Sequence, residues 1–371
     1  MEFGIFSVLS VPRPWELDSE RDVINNALEH VSFAESLGFT NAWCLEHHFL
    51  EEYSHSSCPE MFLAACAMRT ERMRLGFGIA TCVPEMSHPA RLAERAAFLD
   101  CLSNGRVEFG TGRSSTWNEL GGFRSDIDNT KKFWDEYIRA IPQMWMQERY
   151  RHQGYSFSMP ERAVLPKPIQ KPHPPMWVAV TAPGTEVDAG ERGLGFLGLS
   201  YGGYDATAPR FKKYRETIAN CSDPVSGVIN NQIAVVNWLY CHEDHETAVD
   251  RGNGLVNRFG STAAQTLDTR QAFPTASYLE AGLLNKLRAD PLAAWNEKAV
   301  PDGLCIGDPE HIVESLKRWE ALGVDRVLFL VQFSEMLPQE EVLKSLRLFG
   351  DRVMPEFSKS AAPVREMQGA A

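Results

Sequence analysis

Four short stretches of this chain have residue types and spacings that chemistry could use. Glu46-His47-His48-Phe49 sets a carboxylate beside two imidazoles, and imidazole is the side chain most easily tuned for proton transfer near neutral pH. Gly110-Thr111-Gly112-Arg113 delivers an arginine from a glycine-framed run. Glycines let the backbone approach a ligand closely, and a guanidinium is a permanently charged fork matched to phosphate oxygens. Thr181-Ala182-Pro183-Gly184-Thr185-Glu186 leads with small hydroxyl and glycine residues toward a helix, whose free N–H groups would favour an anion. Ser200-Tyr201-Gly202-Gly203 brings an aromatic ring that could flank a flat ligand. Plainer readings stand beside these: a tight turn with a solvated arginine, a capping histidine pair, a core tyrosine next to a flexible turn. No metal site is expected. Adjacent histidines leaving a strand point to opposite sides, and no His-x-x-x-His or matching cysteine set accompanies them.

The elements that must carry these stretches alternate. Glu2 to Leu9 reads as a strand and Val23 to Leu37 as a helix closed by Gly38. Asn41 to Leu45 is then a strand, Pro59 to Arg69 a helix, Leu75 to Ala80 a strand and Pro89 to Leu102 a helix. Asn104-Gly105 is turn chemistry, followed by a fourth strand over Val107 to Phe109. A helix over Thr130 to Gln147 puts Trp134, Ile138, Ile141 and Trp145 on one face, and a hairpin is expected from Tyr150 to Phe157. Strands follow at Met176 to Val180, Phe196 to Ser200, Gln232 to Tyr240 and Val327 to Val331, with helices near Ala206 to Ala219, Glu246 to Phe259, Glu310 to Leu322 and Gln339 to Val353.

Eight strands alternating with helices predict a (β/α)8 TIM barrel, in which ligands meet the C-terminal strand ends. No Gly-x-Gly-x-x-Gly follows the first strand, which argues against a doubly wound sheet. All four chemical stretches then fall at strand ends on one rim. Residues from Ser261 to Asp302 are too long for one loop and read as a helical insertion at the mouth. His88 reads as structural, opening a helix before Pro89, and Asp100 and Arg106 as packing or pairing groups around a helix end. One domain over 1–358 is expected, with 359–371 a loose tail.

The 371 residues carry 37 basic and 49 acidic side chains, a net charge of −12, which argues against broad nucleic-acid or anionic-membrane binding. No apolar run approaches membrane-helix length, and Met1 to Leu9 reads as the first strand rather than a leader. The eight cysteines are scattered with no Cys-x-x-Cys pair, as expected of reduced thiols in a cytoplasmic protein.

Taken in order, the motifs resemble the bacterial luciferase-like flavin monooxygenases over most of residues 1 to 355. They are Met1-Glu2-Phe3-Gly4-Ile5-Phe6, Ala42 to Phe49, the run from His88-Pro89 through Gly112-Arg113, Glu191-Arg192-Gly193-Leu194, and Leu348 to Pro355. The resemblance implies a TIM barrel binding FMN at its C-terminal mouth, reduced by a separate NAD(P)H:flavin reductase. It implies that Arg113 and Ser115, joined by Thr181, Gly184 and Thr185, hold the FMN phosphate, with Gly112 and Tyr201 beside the flavin. It makes His47 the catalytic histidine, with Glu46 and His48 lining the site. It further implies a non-proline cis peptide at Ala80-Thr81 beneath the isoalloxazine ring. Light-emitting luciferase differs in having a cysteine at the position of Gly112 and a tryptophan at that of Tyr201; Gly112 is expected to leave more room beside the ring.

The implied activity is a two-component monooxygenase. Reduced FMN and O2 give a C4a-(hydro)peroxide that passes one oxygen atom to a small organic substrate, while the protein supplies orientation and shielding. Leu120 to Asn129 and Ser261 to Asp302 are expected lids. Two other readings stay open: a deazaflavin-dependent hydride-transfer oxidoreductase and a non-catalytic flavin-binding protein. Homodimerisation is implied, through helices such as Pro59 to Arg69. Trp15, Phe123, Phe273 and Trp295 are candidate pocket or packing residues, and aldehydes, ketones, terpenes and sulfur compounds are all compatible substrates.

Overall fold

The computed structural model describes residues 1–114, 116–268 and 302–357, without the side chains of Tyr201, Leu267 and Asp268. Strands β1 (Glu2–Ser7), β2 (Asn41–Cys44), β3 (Arg74–Thr81), β4 (Val107–Gly112), β7 (Met176–Ala179), β8 (Gly195–Leu199), β9 (Ile233–Cys241) and β11 (Arg326–Leu330) pair in parallel. Each neighbours the next around the ring, and β9 closes it by pairing with both β8 and β11. This is the expected eight-stranded (β/α)8 barrel, and parallel pairing sends every C-terminal strand end to the same mouth.

The helices between strands follow the apolar periodicity of the sequence. They are α1 (Ser19–Leu37), α2 (Pro59–Arg69), α3 (Pro89–Leu102), α4 (Trp117–Gly122), α5 (Thr130–Met146), α6 (Thr185–Glu191), α7 (Gly203–Ala219), α8 (His245–Asp268), α9 (Pro309–Ala321) and α10 (Gln339–Arg352). The predicted face of α5 is buried at Trp134, Ile138, Ile141 and Trp145. His88 caps α3, its Nδ1 accepting from the Ala90 N–H at 3.2 Å, as its position before Pro89 suggested. No helix among the described residues is long and apolar enough to cross a membrane.

Several boundaries differ from expectation. β4 does not stop at Phe109 but continues through Gly112, so the glycines belong to the strand itself. The hairpin reaches further, with β5 (Tyr150–Gln153) pairing with β6 (Ser158–Arg162). Helix α8 runs on to Asp268, taking in the first residues of the expected insertion; residues 269–301 of that segment, with Phe273 and Trp295, and the 359–371 tail lie outside the described residues. The short strand β10 (Cys305–Gly307), paired to the end of β9, has no counterpart in the sequence reading.

Glycine placement lets the barrel accept tryptophans. A Cβ on Gly76 would fall 2.0 Å from the Trp43 indole, and one on Gly195 would fall 2.3 Å from Trp177. The two indoles meet edge to face at 5.6 Å, both fully buried. Below them lies an ionic layer at the N-terminal strand ends. Glu108 of β4, wholly buried, accepts from Arg326 of β11 at 2.9 Å, from the Trp177 Nε1–H at 2.7 Å and from Arg74 of β3.

Candidate active site at the barrel mouth

The chain leaves β2 under tight backbone control. The His47 N–H donates to Ser56 O at 2.9 Å, and the Ser56 hydroxyl donates to Leu45 O at 2.6 Å. This pins the segment that carries Glu46, His47 and His48. Glu46 then ties two strand ends together: Oε2 accepts from the Thr81 N–H at 2.9 Å and Oε1 pairs with His48 Nε2 at 3.1 Å. Burial would lower the pKa of His48, but the bonded Glu46 carboxylate, with the charges of Glu46, Glu119 and Glu60, raises it instead. His48 also meets the edge of Phe123 at 5.1 Å, and Phe123 packs against Phe49.

His47 turns the other way. Its Nδ1 lies 2.9 Å from Glu119 Oε1, and its ring meets Tyr53 edge to face at 5.4 Å. Glu119 is absent from the sequence reading, although Thr116-x-x-Glu119 is a capping-box pattern. Thr116 Oγ1 accepts from the Glu119 N–H at 3.3 Å, opening α4 after β4. The Glu119 carboxylate is wholly buried and takes further bonds from the His48 N–H, the Ser114 hydroxyl and the Thr116 hydroxyl. Burial would push this carboxyl up, yet His47 and the two hydroxyls bring it down to about 2. The two imidazoles are thus each held by a separate carboxylate, one from the segment after β2 and one from α4.

Arg113 leaves β4 half-buried, and its Nη1 donates to Thr130 Oγ1 at 3.2 Å at the first residue of α5. The Thr181 to Thr185 turn stands at the end of β7, the strand that pairs with β4. Gly184 takes φ +87° with open space where a Cβ would sit, and its N–H donates to Glu186 Oε1 at 3.1 Å. Arg210 of α7 grips Glu186 Oε2 at 2.9 Å and Ala182 O at 2.8 Å. So the turn already holds an anion, and a second arginine stands over it. Arg210 escaped the sequence reading because nothing in α7 links it to a loop 24 residues earlier. Ser200 to Gly202 form a 3-10 turn after β8, with the Ser200 hydroxyl donating to Val236 O at 2.9 Å. The ring of Tyr201 and all of Ser115 lie outside the described side chains.

A protein-family model described as luciferase-like monooxygenase matches residues 1–326. The chain belongs to this family. It is 26% identical over 372 residues to the oxygenase component of the flavin-dependent trigonelline monooxygenase of Acinetobacter baylyi, covering 97% of this chain and 96% of that protein. It is 25% identical to the F420-dependent glucose-6-phosphate dehydrogenase of Amycolatopsis mediterranei, over 89% of this chain and 96% of that one. In fold it resembles the oxygenating constituent of 3,6-diketocamphane monooxygenase from Pseudomonas putida, solved with FMN: TM-score 0.74, 20% identity, covering 96% of this chain and 98% of that one. The chain is accordingly an enzyme of the luciferase-like oxidoreductases.

Two expectations drawn from the luciferase-like pattern are corrected. The described cis peptides all precede proline, at Arg13-Pro14, Leu165-Pro166 and Lys171-Pro172, and Ala80-Thr81 is not among them. The irregularity there is carried by register instead. β3 pairs Phe77 with Phe109 and then Ala80 with Thr111, so Gly78 and Ile79 bulge opposite Gly110. That bulge also removes the extra room expected at Gly112, where a Cβ would lie 2.8 Å from Ile79. Cys82 is buried, and burial pushes its thiol well above the usual range, so it is a neutral packing group. Among the described residues no cluster of three or more histidine, cysteine or carboxylate side chains could hold a metal.

Proposed function

We propose that this luciferase-like chain is the oxygenase component of a two-component monooxygenase that takes reduced FMN from a separate NAD(P)H:flavin reductase. The observation that carries this reading is the pair of carboxylate-held imidazoles at the mouth, His47 on Glu119 and His48 on Glu46. The residues fit the cofactor's phosphate. Arg113 stands at the first residue of α5, and the uncrowded Gly184 turn already receives a carboxylate through its N–H. A phosphate replacing Glu186 there would gain the same donor and lie near Arg210. Thr181, Thr185 and Ser115 are assigned to the same anion site, and Ala80, Thr81, Gly112 and Tyr201 to the flavin's surroundings.

Reduced flavin, when bound, supplies the activation of O2 and the transfer of one oxygen atom to an organic substrate. The chain's own residues bind and orient the cofactor, exclude water and move protons. His47 exchanges a proton through its ring, Glu46 fixes the end of β3 against the end of β2, and Phe49 with Phe123 shields the His48 side of the site. Product formation from a panel of ketones, aldehydes, terpenes and sulfur compounds, with FMN, a flavin reductase and NAD(P)H, tests the reading. No product, combined with hydride transfer to the deazaflavin F420, would replace it. The F420-dependent relative is what keeps that second reading in view.

The same reading assigns one catalytic unit over 1–358 and a homodimer. Met61 and Met68 of α2 are 70% and 72% exposed, and Phe98 and Leu102 of the adjoining α3 are exposed as well. An apolar strip of this kind is what a self-association face needs, and the mass in solution tests it. A cytoplasmic location accords with eight free cysteines.

A further inference from the structure

Glu119 does more than pair with a histidine. We propose that Glu119 is a positioning residue that fixes His47 in its Nδ1–H form, leaving Nε2 as the nitrogen through which His47 takes and returns its proton. This rests on the reading of His47 as the proton-handling residue of the oxygenase site.

The assignment follows from counting donors. Glu119 Oε1 accepts the His48 N–H at 3.1 Å, and Oε2 accepts the Ser114 and Thr116 hydroxyls, each at 2.7 Å. The Thr116 oxygen itself accepts the Glu119 N–H, so its own proton is free to point at the carboxylate. A buried carboxyl with three such donors is ionised and can only accept. The remaining neighbour of Oε1, His47 Nδ1 at 2.9 Å, must therefore carry a proton. Nε2 makes no hydrogen bond among the described residues, while one fifth of the side chain stays exposed. When His47 gains a proton at Nε2, the positive ring faces a carboxylate already in place; when it gives the proton up, Nδ1–H is unchanged. Glu119 takes no proton in either step.

Local structure is built around this contact. Ser114 adopts φ +60°, rare for a residue with a side chain, and its hydroxyl reaches Glu119 from there. Gly122 lets α4 press onto the histidine segment, since a Cβ there would lie 2.7 Å from the Phe49 ring. Ser114 also follows Arg113 directly, so the arginine and the carboxylate leave β4 on one short stretch.

The test is the tautomer of His47 in flavin-free protein labelled with [15N]histidine, read from long-range 1H–15N couplings and assigned by loss of the signal in His47→Gln. Wild-type protein, recorded at a pH where the ring is uncharged, is expected to show Nδ1–H, against the intrinsic preference of imidazole in water for Nε2–H. Glu119→Ala, which leaves no acceptor at Nδ1, is expected to lose that fixed form while FMN affinity is retained. An Nε2–H spectrum in wild-type protein, or an unchanged spectrum in Glu119→Ala, overturns the assignment. The wild-type spectrum decides even if Glu119→Ala does not fold. Because it is recorded without flavin, absence of oxygenation would sink the proposed function and leave this result standing, and an Nε2–H spectrum would do the reverse.

Discussion

At the scale of single residues, the proposed site divides its labour between groups assigned to move protons and groups assigned to hold charge. His47→Ala removes the imidazole that rests on Glu119 but none of the cationic groups around the anion turn. It is expected to cut product formation about 100-fold or more while leaving FMN affinity unchanged; undiminished turnover with any accepted substrate would remove His47 from its role. Arg113→Ala should act in the opposite sense. Losing a charge-assisted contact to phosphate is expected to weaken FMN binding about 10- to 100-fold, with riboflavin, which has no phosphate, bound as before. Equal weakening of both flavins would place Arg113 away from the phosphate. These two residues stand out in the sequence because their neighbours are distinctive, a carboxylate and a second histidine beside His47 and two nearby glycines before Arg113. Glu119 and Arg210 are not, because a capping carboxylate and a helical arginine occur in every fold. Their meaning comes from strands that bring residue 47 to residue 119 and residue 186 to residue 210.

At the scale of elements, apolar periodicity and the glycine and proline punctuation give nearly all of the barrel's strands and helices, since each presents a buried face of fixed period. β10 is missed because three residues hold no period, and the end of β4 because Gly110 and Gly112 look like turn residues. A Cβ at Gly110 would fall 2.1 Å from Phe77 O, so that glycine serves strand pairing rather than a turn. One contact between elements carries a pH dependence. His30 of α1 is buried with Nε2 2.7 Å from Gln339 Oε1 of α10, and burial, outweighing that bond and nearby Glu29, lowers its pKa to about 4. Between about pH 6.5 and 4 the unfolded chain binds a proton that the folded chain refuses, so stability present above this window is lost as pH falls through it. The full loss is on the order of 3 kcal/mol. Urea unfolding at pH 7 and pH 4.5 should show a steeper loss in wild-type protein than in His30→Gln; parallel losses would show that His30 does not carry the effect.

At the scale of the whole molecule, the end of the barrel opposite the mouth has an ionic floor. Glu108, Arg326, Arg74 and Glu2 come from four strands, β4, β11, β3 and β1, so this one cluster fixes the relative positions of half the barrel. Burial would push the Glu108 carboxyl up, but Arg326 and Arg74 hold it below its ordinary value. No sequence pattern announces the cluster, because its members are separated by up to 324 positions and each alone reads as a solvated strand end. A charge removed from such a set leaves its partner buried without compensation. Glu108→Gln, which keeps shape and most hydrogen-bonding capacity, is therefore expected to cost about 3–5 kcal/mol, read as a lower urea midpoint at pH 7. The His47 tautomer, set at the other end of the strands, should be unaffected in the protein that remains folded. A loss below about 1 kcal/mol, the size of an exposed pair, would mean that water reaches Arg326 and that the floor is not closed. A large loss with His47 altered as well would mean that the two ends of the barrel are coupled through β4.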